Sequence, residues 1–157
     1  MKHRRAQISA FDFILASSVS VIILVLVAAT FFLYERKINE FVLYNDLSTK
    51  TFQVSDVLIK SEGVPSNWNS TNVNIIGLAS EDRVINVDKL NNFIDLSQQE
   101  IKDKMATNYD IYFNLTNITG KSIASIGNPP AGIRSVVIKR YVMYKNEEAI
   151  MEFGLWE

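Results

Sequence analysis

The chain has 157 residues, 48% of them hydrophobic, and its 16 basic and 17 acidic side chains leave a formal net charge of −1. This balance argues against a nucleic-acid binder that relies on a basic surface, so no nucleic-acid partner is predicted. Because the chain has no cysteine and a single histidine, His3, disulfides, thiolate or multi-histidine metal centres and Cys- or His-based triads are excluded within one chain. No cofactor, metal site or catalytic activity is predicted.

The first element in chain order is an apolar run of 22 residues without a charge, Phe13 to Tyr34. At about 1.5 Å per residue it matches the roughly 30 Å hydrocarbon core of a bilayer, which predicts a transmembrane helix in contact with membrane lipid. Lys2, Arg4 and Arg5 precede the run, so the N-terminus is expected in the cytoplasm and residues 35–157 outside. A cleaved secretory signal peptide is the competing interpretation, but the run is longer than the typical apolar region of about 7–15 residues.

The helix is predicted to continue beyond the membrane as an amphipathic segment. No Gly or Pro occurs from Glu35 to Ser61, and Gly63 and Pro65 then supply a stop signal. The apolar residues of this segment recur at helical spacing. They are Ile38, Phe41, Val42, Leu43, Leu47, Val54 and Leu58. We expect one helix from about Ile8 to Ser61, and the alternative is a transmembrane helix followed by a separate surface helix.

The rest of the chain is predicted to form a β-rich head. Strands are expected over 73–78, 84–87, 109–115 and 121–126, followed by a hairpin of 133–144 and 149–156 around a turn at 145–148. Two short helices lie between them, one capped by Asp88 and one by Ser97, with Glu100 completing a capping box. Trp68 and Trp156 are interpreted as core or strand-end anchors. The predicted fold class is α+β, a lollipop in which the long N-terminal helix packs on a small antiparallel sheet.

The residues around the start of the apolar run carry a family resemblance. A short basic leader ends in Arg4, Arg5 and Ala6, the residues Q-I-S follow from Gln7, and the acidic Asp12 stands beside the apolar run. Together with the predicted architecture, this arrangement resembles archaeal type IV pilins and pilin-like proteins with a class III signal peptide.

The resemblance implies that a prepilin peptidase cuts the leader between Ala6 and Gln7, and that the retained apolar helix packs into a filament core. The family commonly has glutamate at the fifth mature position, whereas here Phe11 is fifth and Asp12 sixth. The predicted parts are a basic leader (1–6), a transmembrane or filament-core half-helix (7–34), an amphipathic half-helix (35–62) and an extracytoplasmic head (63–157).

Asp12 is the most informative ionisable residue. In pilins the corresponding acid is thought to meet the free amino group at the mature N-terminus of a neighbouring subunit, and the resemblance assigns that pairing to Asp12. The alternative is an interfacial residue at the N-terminal end of the helix, where the helix dipole favours a negative charge.

Three sequons provide candidate N-glycosylation sites on the exported part of the chain. They begin at Asn69, Asn114 and Asn117, each followed two positions later by Thr. Asn114 is the least favourable of the three because it lies at the end of a predicted strand.

The leading functional hypothesis is a structural subunit of an archaeal cell-surface pilus, with copies of itself or other pilin subunits as partners. One alternative is a single-pass membrane protein that does not polymerise and whose ectodomain binds a partner or an envelope component. A minor pilin that acts in adhesion stands between the two.

Overall fold

The computed structural model describes residues 2–131 and 134–157, and for residues 2–10 it describes the backbone alone. One helix, α1, spans Lys2–Lys60, which confirms the prediction of a continuous helix. The other elements are β1 (Ala79–Glu81), β2 (Val84–Ile85), α2 (Val87–Ile94), α3 (Gln98–Lys104), β3 (Asp110–Asn117), β4 (Ser122–Ile126), β5 (Ser135–Tyr144) and β6 (Glu147–Trp156). The α+β class is therefore confirmed.

The chain divides into two compact units, an N-terminal unit, Met1–Leu43, and a C-terminal unit, Tyr44–Glu157. In its described part, the N-terminal unit consists of α1 residues alone. Its helix is regular because the apolar run contains neither Gly nor Pro. Two hydroxyl groups within the run bond to the helix itself: Ser17 donates to the carbonyl of Ile14 at 3.0 Å, and Thr30 to that of Val27 at 2.8 Å.

The C-terminal unit contains a six-stranded sheet with the order β1-β2-β5-β6-β3-β4. The hairpin of β5 and β6 and the pairs of β3 with β4 and β6 are antiparallel, as predicted. The prediction of a purely antiparallel sheet is wrong for one pair, because β2 lies parallel to β5, with Val84 opposite Met143. The two helices and two strands between β2 and β5 let the chain return to the side of β2 in the same direction.

One face of the sheet is covered by the last turns of α1 and by the two short helices. Alternate residues of β3 and β6 point into this core, as the polar–apolar alternation of β3 predicts. The rings of Phe93 from α2 and Phe113 from β3 meet edge to face, with centroids 5.2 Å apart. The α1 residues of the core are Leu47, Leu58 and Ile59.

The predicted amphipathic stripe of α1 is only partly correct. Leu47 and Leu58 are buried, but the inner positions between them are taken by the hydroxyl residues Thr51 and Ser55. Their hydroxyls donate to the carbonyls of Leu47 and Phe52 within the helix, so burial leaves no donor unpaired. The stripe residues that belong to the N-terminal unit are exposed. They are Ile38, Phe41, Val42 and Leu43.

Three local predictions need correction. Residues 73–78 form no strand of the sheet; their one bridge pairs Ile75 with Val64. The cap of α2 is Asn86 rather than Asp88, since its side-chain oxygen accepts hydrogen bonds from the first amides of the helix. The β5–β6 turn is shorter than predicted, because Lys145 and Asn146 both adopt positive φ angles, as in a two-residue type I′ turn. The capping box of Ser97 and Glu100 is confirmed.

Candidate functional site

The apolar surface of α1 is the most extensive feature of the N-terminal unit. Its large hydrophobic side chains between Phe11 and Tyr34 are 48–74% exposed. The helix is long and apolar enough to span a membrane, and its most apolar stretch of 18 residues has a mean hydropathy of 2.6. A helix that is apolar on all sides requires lipid or other helices around it.

Asp12 lies on α1 immediately before the charge-free run, and its side chain is exposed. The predicted leader cleavage site, Ala6 and Gln7, falls in the stretch of α1 where only the backbone is described, so its side chains lie outside the described residues.

The sequons of Asn69 and Asn117 share one local geometry. The side-chain oxygen of Asn69 accepts hydrogen bonds from the hydroxyl of Thr71 at 2.7 Å and from its backbone amide at 2.9 Å. The oxygen of Asn117 is held in the same way by the hydroxyl and amide of Thr119, at 2.7 and 3.1 Å. In both turns the side-chain oxygen is held by the protein, and the amide nitrogen is the atom that would carry a glycan.

Asn114 occupies a different environment from the other two sequons. It lies inside β3 rather than at its end, with its backbone opposite Ser125 of β4 and Glu152 of β6. Its side-chain oxygen accepts a hydrogen bond from the hydroxyl of Ser122 at 2.8 Å. Asn114 is therefore the one predicted acceptor of the three that pairs on both sides within the sheet.

A charged cluster joins the last turns of α1 to β5. Asp56 accepts hydrogen bonds at 2.8 Å from both Lys60 and Arg140, and the Arg140 guanidinium lies 4.5 Å from the ring centroid of Phe52. The hydrogen bond from Lys60 holds the pKa of Asp56 below its ordinary value of 3.8, and the charge of Arg140 lowers it further. The sequence analysis missed Arg140, because alternation in β5 alone does not indicate that this basic residue faces the helix.

A second polar group lies on the opposite face of the sheet. Lys139 and Glu152 approach to 2.6 Å, and the hydroxyl of Tyr112 donates to Glu152 at 3.3 Å. The hydrogen bond from Lys139 lowers the pKa of Glu152, while burial raises the pKa of Tyr112. Because each side chain already has a partner, we interpret this group as a solvated cross-strand network.

Trp68 is a core residue, as predicted, and Trp156 is half-buried at the end of β6. Within the part of the chain that the structure describes, no group of three or more His, Asp or Glu side chains is arranged to hold a metal ion.

Comparison with known proteins gives no match: no protein-family model, no curated protein and no solved structure is significantly similar to this chain.

Proposed function

We propose that the chain is a structural subunit of an archaeal type IV pilus-like surface filament and has no catalytic role. In this proposal the leader is removed between Ala6 and Gln7, and the membrane holds the subunit with residues 35–157 outside. The apolar helix then leaves the lipid and packs against the helices of other copies or of other pilin subunits.

The observation that carries the proposal is the apolar N-terminal unit. Its helix exposes large side chains on every side over Phe11–Tyr34, and apolar residues continue beyond that run at Phe41, Val42 and Leu43. A plain membrane anchor needs about 20 apolar residues. Here apolar side chains continue about two turns beyond the run, on one side of a helix that also carries Glu35, Arg36 and Lys37. Contact with neighbouring helices would cover both the membrane-length run and its extension.

Asp12 has a specific role in this proposal. A carboxylate at the edge of an apolar helix bundle costs a few kcal/mol unless it is paired. The amino group released at Gln7 of a neighbouring subunit would neutralise it and would favour one register of packing. The alternative role of Asp12, as an interfacial residue, needs no such partner. The two roles predict different effects of Asp12 removal on filament yield.

The test is immunogold electron microscopy of archaeal cells that express an epitope-tagged chain. We expect labelled filaments from the wild type, and a loss of most filaments for Asp12→Ala. The matched control is Asp95→Ala, which removes an exposed acid of the C-terminal unit and should leave filament yield unchanged. Label confined to the cell membrane would contradict the proposal and favour a non-polymerising anchor. Label at filament tips alone would favour a minor, adhesive subunit.

A further inference from the structure

A polar cleft opens on the C-terminal unit, away from the charged cluster of Asp56. It has a volume of about 490 Å³ and lies between the loop that follows α1, strand β1 and the first turns of α2. This volume lies within the range of small-molecule sites. The side chains used in the argument are Glu62, Trp68, Asn69, Asp88, Lys89 and Asn92.

The lining is rich in side-chain amides. Four asparagines line the cleft, two of them with side-chain oxygens bonded within the protein, and an amide side chain offers both a donor and an acceptor. Sugar hydroxyls have the same dual character, so an amide-rich lining is complementary to them. The acids Glu62 and Asp88 outnumber the single lysine, which disfavours an anionic ligand and supplies further acceptors for hydroxyl groups.

Lys89 places a basic side chain in the lining of the cleft. Its side chain is 8% exposed, and among the described residues the acceptor of its ammonium group is the carbonyl of Ala79, at 3.1 Å. An ammonium carries three donors, so Lys89 has donors beyond the one bonded to Ala79. A ligand oxygen in the cleft would supply an acceptor.

The base of the cleft is rigid. Trp68 is 2% exposed, and its indole nitrogen donates to the carbonyls of Glu62 and Gly77 at 3.1 and 2.9 Å. Asn86 is fixed in a similar way, because its side-chain oxygen caps α2. A site held by such contacts binds with little loss of conformational entropy.

We propose that this cleft binds an uncharged saccharide. Two sources share that chemistry, because Asn69 is both a lining residue of the cleft and a predicted glycosylation site. The sugar is either the first residue of a glycan carried by Asn69 itself or part of a separate polysaccharide. Neither source depends on filament formation.

The test uses the full chain in detergent micelles, produced in a host without N-glycosylation. The Trp156→Phe background leaves Trp68 as the single tryptophan, so its fluorescence reports directly on the cleft. The probes are chitotriose, maltotriose and mannotriose, with trigalacturonate as the anionic comparison. We expect saturable binding of at least one neutral trisaccharide, and binding of trigalacturonate at least tenfold weaker.

Matched variants of α2 locate the site. Asn92→Ala removes a lining amide and should weaken binding about tenfold or more, whereas Asn91→Ala removes an exposed amide of the same helix and should not. Ser66→Ala, in the loop, provides a second lining variant, and thermal melts confirm that each protein is folded. Absence of binding by the folded parent, or equal binding by the Asn91 and Asn92 variants, would overturn the proposal.

A second arm distinguishes the two sources. If the ligand is the chain's own glycan, protein with a glycan on Asn69 should bind no free trisaccharide, and Asn69→Gln made in the same host should bind it. If the ligand is a separate polysaccharide, glycosylated and unglycosylated chains should bind the free trisaccharide alike.

Discussion

Asp56 shows how one side chain joins two elements that are distant in sequence. Its carboxylate bonds to Lys60 one turn further along α1 and to Arg140 on β5. The Asp56 side chain is 26% exposed. The contribution of its ion pair with Arg140 to stability is therefore larger than that of a fully exposed pair, and the cost of desolvating the two charges is smaller than in a protein interior. Arg140 also packs on Phe52, and loss of the carboxylate would leave its charge half-buried.

Replacement of Asp56 by Asn is expected to lower the free energy of unfolding by about 1–2 kcal/mol at pH 7. Folding lowers the pKa of Asp56 below 3.8, its value in the unfolded chain. The stabilisation that the Asp56 carboxylate provides is therefore complete at pH values above 3.8, and it is lost as the pH falls through the lower pKa of the folded state. Urea unfolding of the full chain in detergent, followed by tryptophan fluorescence, should show a difference between wild type and Asp56→Asn that shrinks between pH 7 and pH 3. The exposed Asp95→Asn serves as control. An equal difference at both pH values would contradict this assignment.

The end of α1 is anchored by backbone contacts. The carbonyls of Leu58 and Ser61 accept hydrogen bonds from the amides of Leu78 and Ala79, at 2.9 and 3.1 Å, and that of Ile59 from Arg83 at 2.8 Å. These contacts satisfy carbonyls that a helix end leaves open. Gly77 lies at this junction, where a Cβ atom would overlap the backbone of Ser61 and Gly63.

Gly77→Ala is expected to destabilise the C-terminal unit by about 2–3 kcal/mol, because the backbone around the helix end must move to accommodate the methyl group. The comparison variant is Gly120→Ala, whose methyl group meets no atom within 4 Å but whose φ of +84° is unfavourable for alanine. Its expected cost is about 1 kcal/mol. Urea unfolding in which Gly77→Ala costs no more than Gly120→Ala would show that the junction is not closely packed.

Helices and strands were predictable where the sequence pattern that specifies them involves residues close together in the chain. The capping box of Ser97 and Glu100 is a contact between neighbours in sequence, and the alternation in β3 follows from one buried face. The parallel pairing of β2 with β5 depends on residues far apart in the chain, so local sequence patterns do not indicate it. Thr51 lies one turn after Leu47 on the buried side of α1, and it was missed because the predicted stripe counted apolar residues alone. The cleft around Lys89 was missed for the same reason as the parallel pairing, since it joins the loop after α1 to α2.

At the scale of the whole molecule, the apolar residues serve two purposes. In the C-terminal unit they form one core between helices and sheet. In the N-terminal unit they are exposed, and lipid or other helices must cover them. Charge is divided as well: cleavage after Ala6 would leave 13 basic and 17 acidic side chains, with 16 of the acids beyond the apolar run. The proposed filament would therefore have an apolar helical core and an acidic outer surface.

N-terminal sequencing of the chain recovered from sheared cell-surface material tests this account most directly. Processing before the apolar helix, followed by assembly, predicts a sequence that begins at Gln7. Recovery of the chain only from the membrane fraction, with Met1 or Lys2 as its first residue, would contradict the account and identify a plain membrane anchor.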